Sequence, residues 1–270
     1  MGLDMDTTSW RPYEHLPGST VVGTLLVSRP LAATGLGRSV ELLAWMPPGI
    51  EEDASLPVLY MHDGDNLFDE PASHTGEWSV DETLVSMGRR AIVIGIPNAG
   101  DRRMHEYCPW PNHFTSDVAG DTYARFVVEQ VVPFVDGTLP SRVDRSHRGV
   151  MGSSLGGLIS LYSFLTYPQT FGFVGSMSTA AWWTPQLWSF LEGIDPPPGR
   201  IYLDAGTDEM PMDPVMSRAY VDAFHRLRAW CLDAGYGKDL LARLEPGATH
   251  IEVAWARRLP EALAFLLPTD

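Results

Sequence analysis

Five residues, Gly152-Ser153-Ser154-Leu155-Gly156, carry the strongest chemical signal in this 270-residue chain. They follow the apolar Gly149-Val150-Met151 and precede Gly157-Leu158-Ile159, so the spacing predicts strand, sharp turn, helix. A serine at the tip of such a turn has its hydroxyl lifted clear of the sheet, and small residues on both sides let the backbone take the strained conformation. The start of the helix directs backbone N–H groups and a positive dipole end at the same point, which suits a developing oxyanion. A glycine-rich structural turn is the plain alternative, and the strand before and helix after it favour a nucleophile. Spacing from both glycines selects Ser154 over Ser153. A phosphate-binding loop is excluded, because no Lys follows the glycines.

A serine hydroxyl attacks a carbonyl only when a neutral imidazole accepts its proton, and the imidazole needs a carboxylate to fix its tautomer. In a fold built on such a turn the chain order is Ser, acid, His. Of the eight histidines, His225 and His250 lie downstream of Ser154. His225 falls within a helical period, whereas His250 sits in the loop Pro246-Gly247-Ala248-Thr249-His250, after a strand and before a helix. His250 is therefore the expected base. The acid is expected after the strand Arg200-Ile201-Tyr202-Leu203-Asp204, where Asp204, Asp208 and Glu209 compete; Asp204 is still within the strand, and spacing alone does not separate the other two.

The elements that must position these groups are legible as short Val/Ile/Leu-rich runs alternating with longer stretches of helical period. Strands are predicted over 21–28, 39–46, 57–61, 91–96, 148–152, 173–177, 200–204 and 240–245, the first two forming an antiparallel entry. Helices are predicted over 122–139, 155–167, 217–234 and 251–267. The pattern is that of an α/β fold with a mostly parallel central sheet and helices on both faces. No linker divides residues 1–270, so one domain is expected.

Several ordered segments resemble the esterase D and enterochelin esterase-like family of α/β-hydrolases, which also includes feruloyl esterases, S-formylglutathione hydrolases and mycolyltransferases. They are Tyr60-Met61-His62-Asp63-Gly64-Asp65-Asn66-Leu67-Phe68-Asp69, Glu106-Tyr107-Cys108-Pro109 after Arg103, Gly152 to Gly157, and Gly247-Ala248-Thr249-His250 with Trp255 five residues on. The resemblance runs from about Leu42 to Leu266. It implies an α/β-hydrolase fold and a serine carboxylic-ester hydrolase acting through an acyl-enzyme. It also implies that the acid lies three residues after the glycine that follows the strand, which ranks Glu209 ahead of Asp208. The oxyanion donors it implies are the N–H groups of Asp65 and Leu155. This chain departs from the commonest family form in carrying Asp65 where Gln is frequent and Ala248-Thr249 where a second Gly often precedes the His. Asp65 puts a negative side chain near the oxyanion hole, which disfavours acidic acyl groups. An acyltransferase or thioesterase using the same residues is the nearest competing reading, and a catalytically silent scaffold is another.

For the walls of a substrate cleft, Trp182 and Trp183 are candidates because they follow a strand end, with Trp78 and Trp188; Met210 and Met212 adjoin the acid. Arg103 and Glu106 are expected to pair and brace their loop. Asp63-Gly64-Asp65-Asn66 lacks the alternating ligands and distant Glu of a calcium loop, so neither metal nor cofactor is expected. Hydrophobic residues at 44% and charged residues at 20% are ordinary globular values, and no apolar run reaches the roughly 18 residues a membrane helix needs. The net charge of −15 repels phosphate backbones and anionic lipid, so the expected partner is a small-molecule ester, with neither nucleic acid nor membrane. Oligomeric state has no signature in the composition. The polar amino terminus lacks the form of a secretory signal, giving a cytoplasmic expectation. Cys108 and Cys231 fit no zinc or redox spacing and read as free thiols.

Overall fold

Parallel strands covered by helices on both faces must be apolar on both sides, which is why the central runs of this chain do not alternate. The computed structural model describes residues 8–50 and 55–268. Its strands are β1 (Trp10–Pro12), β2 (Thr24–Ser28), β3 (Leu31–Ala33), β4 (Arg38–Val40), β5 (Leu43–Met46), β6 (Val58–His62), β7 (Ile92–Ile96), β8 (Arg148–Ser153), β9 (Phe173–Met177), β10 (Arg200–Gly206) and β11 (Leu240–Glu245). Nine of them form one sheet in the order β1-β2-β5-β7-β6-β8-β9-β10-β11, and β3 and β4 form a separate hairpin. From β7 through β11 every pairing is parallel, whereas β1, β2 and β5 run antiparallel at the entry edge.

The helices are α1 (Val80–Ser86), α2 (Arg103–Tyr107), α3 (Gly120–Phe126), α4 (Val132–Thr138), α5 (Leu155–Thr166), α6 (Gln186–Gly193), α7 (Pro214–Asp233) and α8 (Glu252–Leu266). Alternate residues of β6 serve the two faces. Val58 and Tyr60 pack with Phe126, Leu158 and Phe224, the side covered by α3, α5 and α7. Leu59 and Met61 pack with Leu84, Leu259 and Leu263, the side covered by α1 and α8. The fold is that of an α/β-hydrolase.

Two expected elements change form. Residues 39–46 are not one strand: Val40 ends β4, and the Leu42 amide donates to Ser28 Oγ at 2.8 Å before β5 joins the main sheet. The predicted helix over 122–139 is α3 and α4 joined through a π-helical turn, Val127–Val131. Cys108 and Cys231 are both free and buried. Among the described residues no helix is long and apolar enough to cross a membrane.

Candidate active site

In a parallel sheet the loops at the carboxyl ends of the strands gather on one edge, and the loops after β6, β8, β10 and β11 carry the expected catalytic groups of this site. Ser154 follows β8 with φ 57° and ψ −121°, outside the ordinary regions for an L-residue, while Ser153 remains in the strand. The turn depends on glycine: a Cβ on Gly152 would lie 2.8 Å from the carbonyl carbon of Gly156. Leu155 opens α5, so its N–H has no intrahelical acceptor and faces outward with the dipole. The second donor expected, the N–H of Asp65, lies in the 3₁₀ turn Gly64–Asn66 after β6, launched by Asp63 in a left-handed conformation at φ 56°.

Glu209 and His250 are brought together by the turns after β10 and β11. These turns touch so closely that a Cβ on Gly206 would come within 2.0 Å of the Ala248 carbonyl oxygen. The Asp208 N–H donates to that same oxygen at 3.1 Å, and the His250 N–H donates to the Glu209 carbonyl at 3.0 Å. The side chains then meet: His250 Nδ1 lies 2.7 Å from Glu209 Oε2. A carboxylate there fixes the proton on Nδ1 and leaves Nε2 as the acceptor. Asp208 is exposed, whereas Glu209 is 1% exposed.

Burial alone would raise the Glu209 pKa. Hydrogen bonds from His250, from the Ser178 hydroxyl at 2.6 Å and from the Gly206 N–H at 2.6 Å outweigh it and hold the carboxyl below its ordinary value. Ser178, at φ 41°, is itself held by two further donors, Trp255 Nε1 at 2.9 Å and Arg258 Nη2 at 2.9 Å. Arg258 forms a buried pair with Asp204 at 2.8 Å. Asp204, the third acidic candidate, thus anchors the arginine behind the site. Burial pushes its pKa up to about 6 although Arg258 and the Ser178 N–H act against that shift.

Ser154 and His250 line one cavity of about 780 Å³, together with Asp63, Asp65, His74, Trp78, Asn98, Arg103, Glu252 and Trp255 among others. The "Putative esterase" family model matches residues 33–266 of the chain. The chain belongs to that esterase family. The relatives of this esterase include YbbA of Bacillus subtilis, 26% identical over 82% of this chain and 90% of that protein. Another is the iron(III) salmochelin esterase of Escherichia coli, 30% identical over 63% of this chain. The matched part is only 38% of that enzyme's length. Among solved structures, an enterobactin esterase from Shigella flexneri superposes with a TM-score of 0.64 at 19% identity, covering 94% of this chain and 61% of that one. The BES protein from Bacillus cereus superposes at 0.69 and 16% identity, covering 96% and 100%.

The aromatic wall of the esterase's cavity differs from the one expected. Trp78 and Trp255 line it, their rings 5.6 Å apart. Trp182 and Trp183 are not among its lining residues. Trp182 packs edge-on against Tyr220, whose ring in turn lies 4.8 Å from that of His250, and Trp183 stacks on Phe114. Trp188 takes the Arg226 guanidinium over its face. Met210 is 40% exposed outside the cavity, and Met212 is almost fully in solvent.

The expected Arg103–Glu106 pair does not form. Arg103 grips Asp63 through Nε at 2.6 Å and Nη2 at 2.8 Å, and Glu106, fully buried, is held by Arg38 at 2.8 and 2.7 Å. The short helix α2 turns its two charges toward different neighbours, because the left-handed Asp63 presents its carboxylate to Arg103 while the hairpin carries Arg38 to Glu106. Sequence reading missed Ser178 and Arg258. The one available signal was Ser178 directly after β9, at the same carboxyl edge as Ser154.

Proposed function

We propose that this esterase hydrolyses carboxylic esters in two steps through an acyl-Ser154 intermediate. Ser154 Oγ attacks the ester carbonyl carbon as His250 Nε2 takes its proton, and the oxyanion is received by the N–H groups of Asp65 and Leu155. The intermediate collapses, the C–O bond to the alcohol breaks, and His250 returns the proton to the leaving oxygen. Water, deprotonated by the same imidazole, then releases the acid and restores Ser154. Glu209 keeps the imidazole in one tautomer and offsets its positive charge; it does not itself take the proton.

The observation that carries this reading is the 2.7 Å contact between Glu209 and His250 at the rim of a cavity that Ser154 enters from a strained turn. Residues 8–268 supply every group the reaction needs, so we read the chain as one catalytic unit. Two relatives bear siderophore-esterase names and a third that of an iron(III) salmochelin esterase, which supports an ester of comparable complexity. The wall that meets the substrate is Trp78 and Trp255, with Trp182, Trp183 and Met210 contributing only to a substrate long enough to reach beyond the cavity.

An active-site-directed fluorophosphonate tests the mechanism. Peptide mass spectrometry is expected to find the label on Ser154, and Ser154→Ala to abolish both labelling and hydrolysis of p-nitrophenyl acetate. Label on Ser153, or hydrolysis surviving in Ser154→Ala, would overturn it.

A further inference from the structure

The charges around the cavity do not balance locally. Arg103, the arginine among its lining residues, is already taken by Asp63 through two nitrogens, and in the neighbouring cavity Arg38 is held by Glu106 through two nitrogens and Arg11 by Glu41 at 3.2 Å. Two cavity-lining carboxylates are left over. Among the described residues neither Asp65 nor Glu252 forms an ion pair with an arginine or lysine, and both are half-buried rather than free in solvent.

These carboxylates belong to one wall. Asn66, next to Asp65, donates through Nδ2 to Thr75 Oγ1 at 3.0 Å and accepts the His74 N–H at 3.0 Å; Thr75 Oγ1 donates on to Glu252 Oε1 at 2.6 Å. The wall therefore runs Asp65, His74, Thr75, Glu252, braced by Asn66, and the indoles of Trp78 and Trp255 line the cavity with it. Asp65 also lines a neighbouring cavity of about 390 Å³ bounded by Arg11, Tyr13, Arg38 and Glu41, so it stands on the ridge between the two. Burial raises the Asp65 pKa above its ordinary value, with the Asp63 carboxylate adding to the rise and His74 and Arg38 acting against it.

A negative charge beside an oxyanion site opposes the reaction it adjoins unless something positive arrives with the substrate. Half-buried carboxylates in a cavity attract an ammonium group, and the small parts of the buried Trp78 and Trp255 indoles that line it tolerate the alkyl groups such a cation carries. We propose that the ester substrate carries a cationic group of the ammonium type, held by Asp65 and Glu252 against Trp78 and Trp255. This rests on the Ser154 hydrolase reading above and adds the class of substrate. An anionic ester of the same size is rejected by the same wall.

Isosteric esters test it. Butyrate esters of choline, of 3,3-dimethylbutanol and of a hydroxy-carboxylate share a shape and differ in charge, and a matching series carries the three groups on the acyl side of p-nitrophenyl esters. In one series or the other, kcat/KM for the ammonium ester is expected to exceed that of its neutral isostere roughly tenfold or more, with the carboxylate last. Asp65→Asn and Glu252→Gln, each normalised to its own turnover of p-nitrophenyl acetate, are expected to shrink that ratio toward one. A ratio of one or below in both series, or one that neither variant changes, would overturn the proposal while Ser154-dependent hydrolysis of the neutral esters stands. Should no ester be turned over, the hydrolase reading fails. The wall is then judged by tryptophan fluorescence: tetramethylammonium is expected to alter it in wild type and not in Asp65→Asn, and a flat response in wild type sinks the cation site too.

Discussion

The hydroxyl of Ser178 donates to Glu209 Oε1 at 2.6 Å, while the other carboxylate oxygen, Oε2, faces His250. A residue that touches neither Ser154 nor His250 therefore sets the charge and aim of the acid. Removing that donor leaves a more basic carboxylate, which holds the imidazolium more strongly and raises the apparent pKa of the Glu209–His250 pair. Ser178→Gly, which accepts the positive φ, is expected to lower kcat about tenfold, the equivalent of one charge-assisted hydrogen bond. The acid limb of the pH–kcat/KM profile should move to higher pH. Ser178→Ala should match it if the hydroxyl is what matters. An acid limb that stays in place in both variants would reduce Ser178 to a packing residue.

Glu209 and Asp208 are neighbours with opposite fates, and isosteric amides separate them. Glu209→Gln keeps the volume but turns an amide toward His250 Nδ1, so the tautomer and the offset of its positive charge are both lost; kcat is expected to fall on the order of 10⁴-fold. Asp208→Asn should stay near wild type, because only its backbone N–H is engaged. Comparable losses in both variants would mean that the turn, and not the carboxylate, carries the effect.

What could be read in advance follows from what is local. The nucleophile, its strand and its helix are contiguous in the chain, and the apolar runs of β6 to β10 declare themselves because both faces of each strand are buried. The antiparallel edge was harder: Leu42 continues the apolar run, and nothing in its type reveals that its amide leaves the ladder for Ser28. β1 and β3 have three residues each and α1, α2 and α6 at most eight, too short for a period to emerge. Arg258 was hidden for another reason. On an amphipathic helix an arginine reads as a solvent-facing charge, and its partner Asp204 is 54 positions away. The expected Arg103–Glu106 pair failed in the same way, since helical proximity cannot outweigh carboxylates delivered by distant loops.

Stability should depend on pH in an unusual direction near α1. Burial pushes Glu77 up to about 7 and Asp81 up to about 8, with the Glu82 carboxylate adding to the rise of both. For an acid whose folded pKa lies above its unfolded value, the native state binds the extra proton. The stabilisation is complete below the unfolded pKa and is lost as pH rises through the folded one. Glu209, whose pKa is lowered, acts oppositely, but its loss comes only at acidic pH. Thermal unfolding is therefore expected at a lower temperature at pH 8.5 than at pH 5.5. Asp81→Asn, which can still accept the Val22 N–H now bonded to Asp81 Oδ2 at 2.7 Å, should flatten that slope. A melting temperature that climbs steadily across this range would contradict the assignment.

The turn at Ser154 should store strain that stability measurements can read. With φ 57° and ψ −121°, its Cβ is forced toward backbone atoms it would avoid elsewhere, at a cost of about 1–3 kcal/mol for such a conformation. Glycine pays none of that cost, although it gives back part of the gain through greater freedom of the unfolded chain. Ser154→Ala keeps the Cβ and removes only the hydroxyl, so it reports the chemistry; Ser154→Gly removes both and also reports the strain. Both variants should be inactive, with kcat reduced on the order of 10⁶-fold. Denaturant unfolding should nevertheless find Ser154→Gly more stable than Ser154→Ala by about 1 kcal/mol, the conformational cost less the entropy of glycine. If alanine proved the more stable of the two, the turn would be relaxed, and the exposure of the nucleophile would have to come from the loops around it.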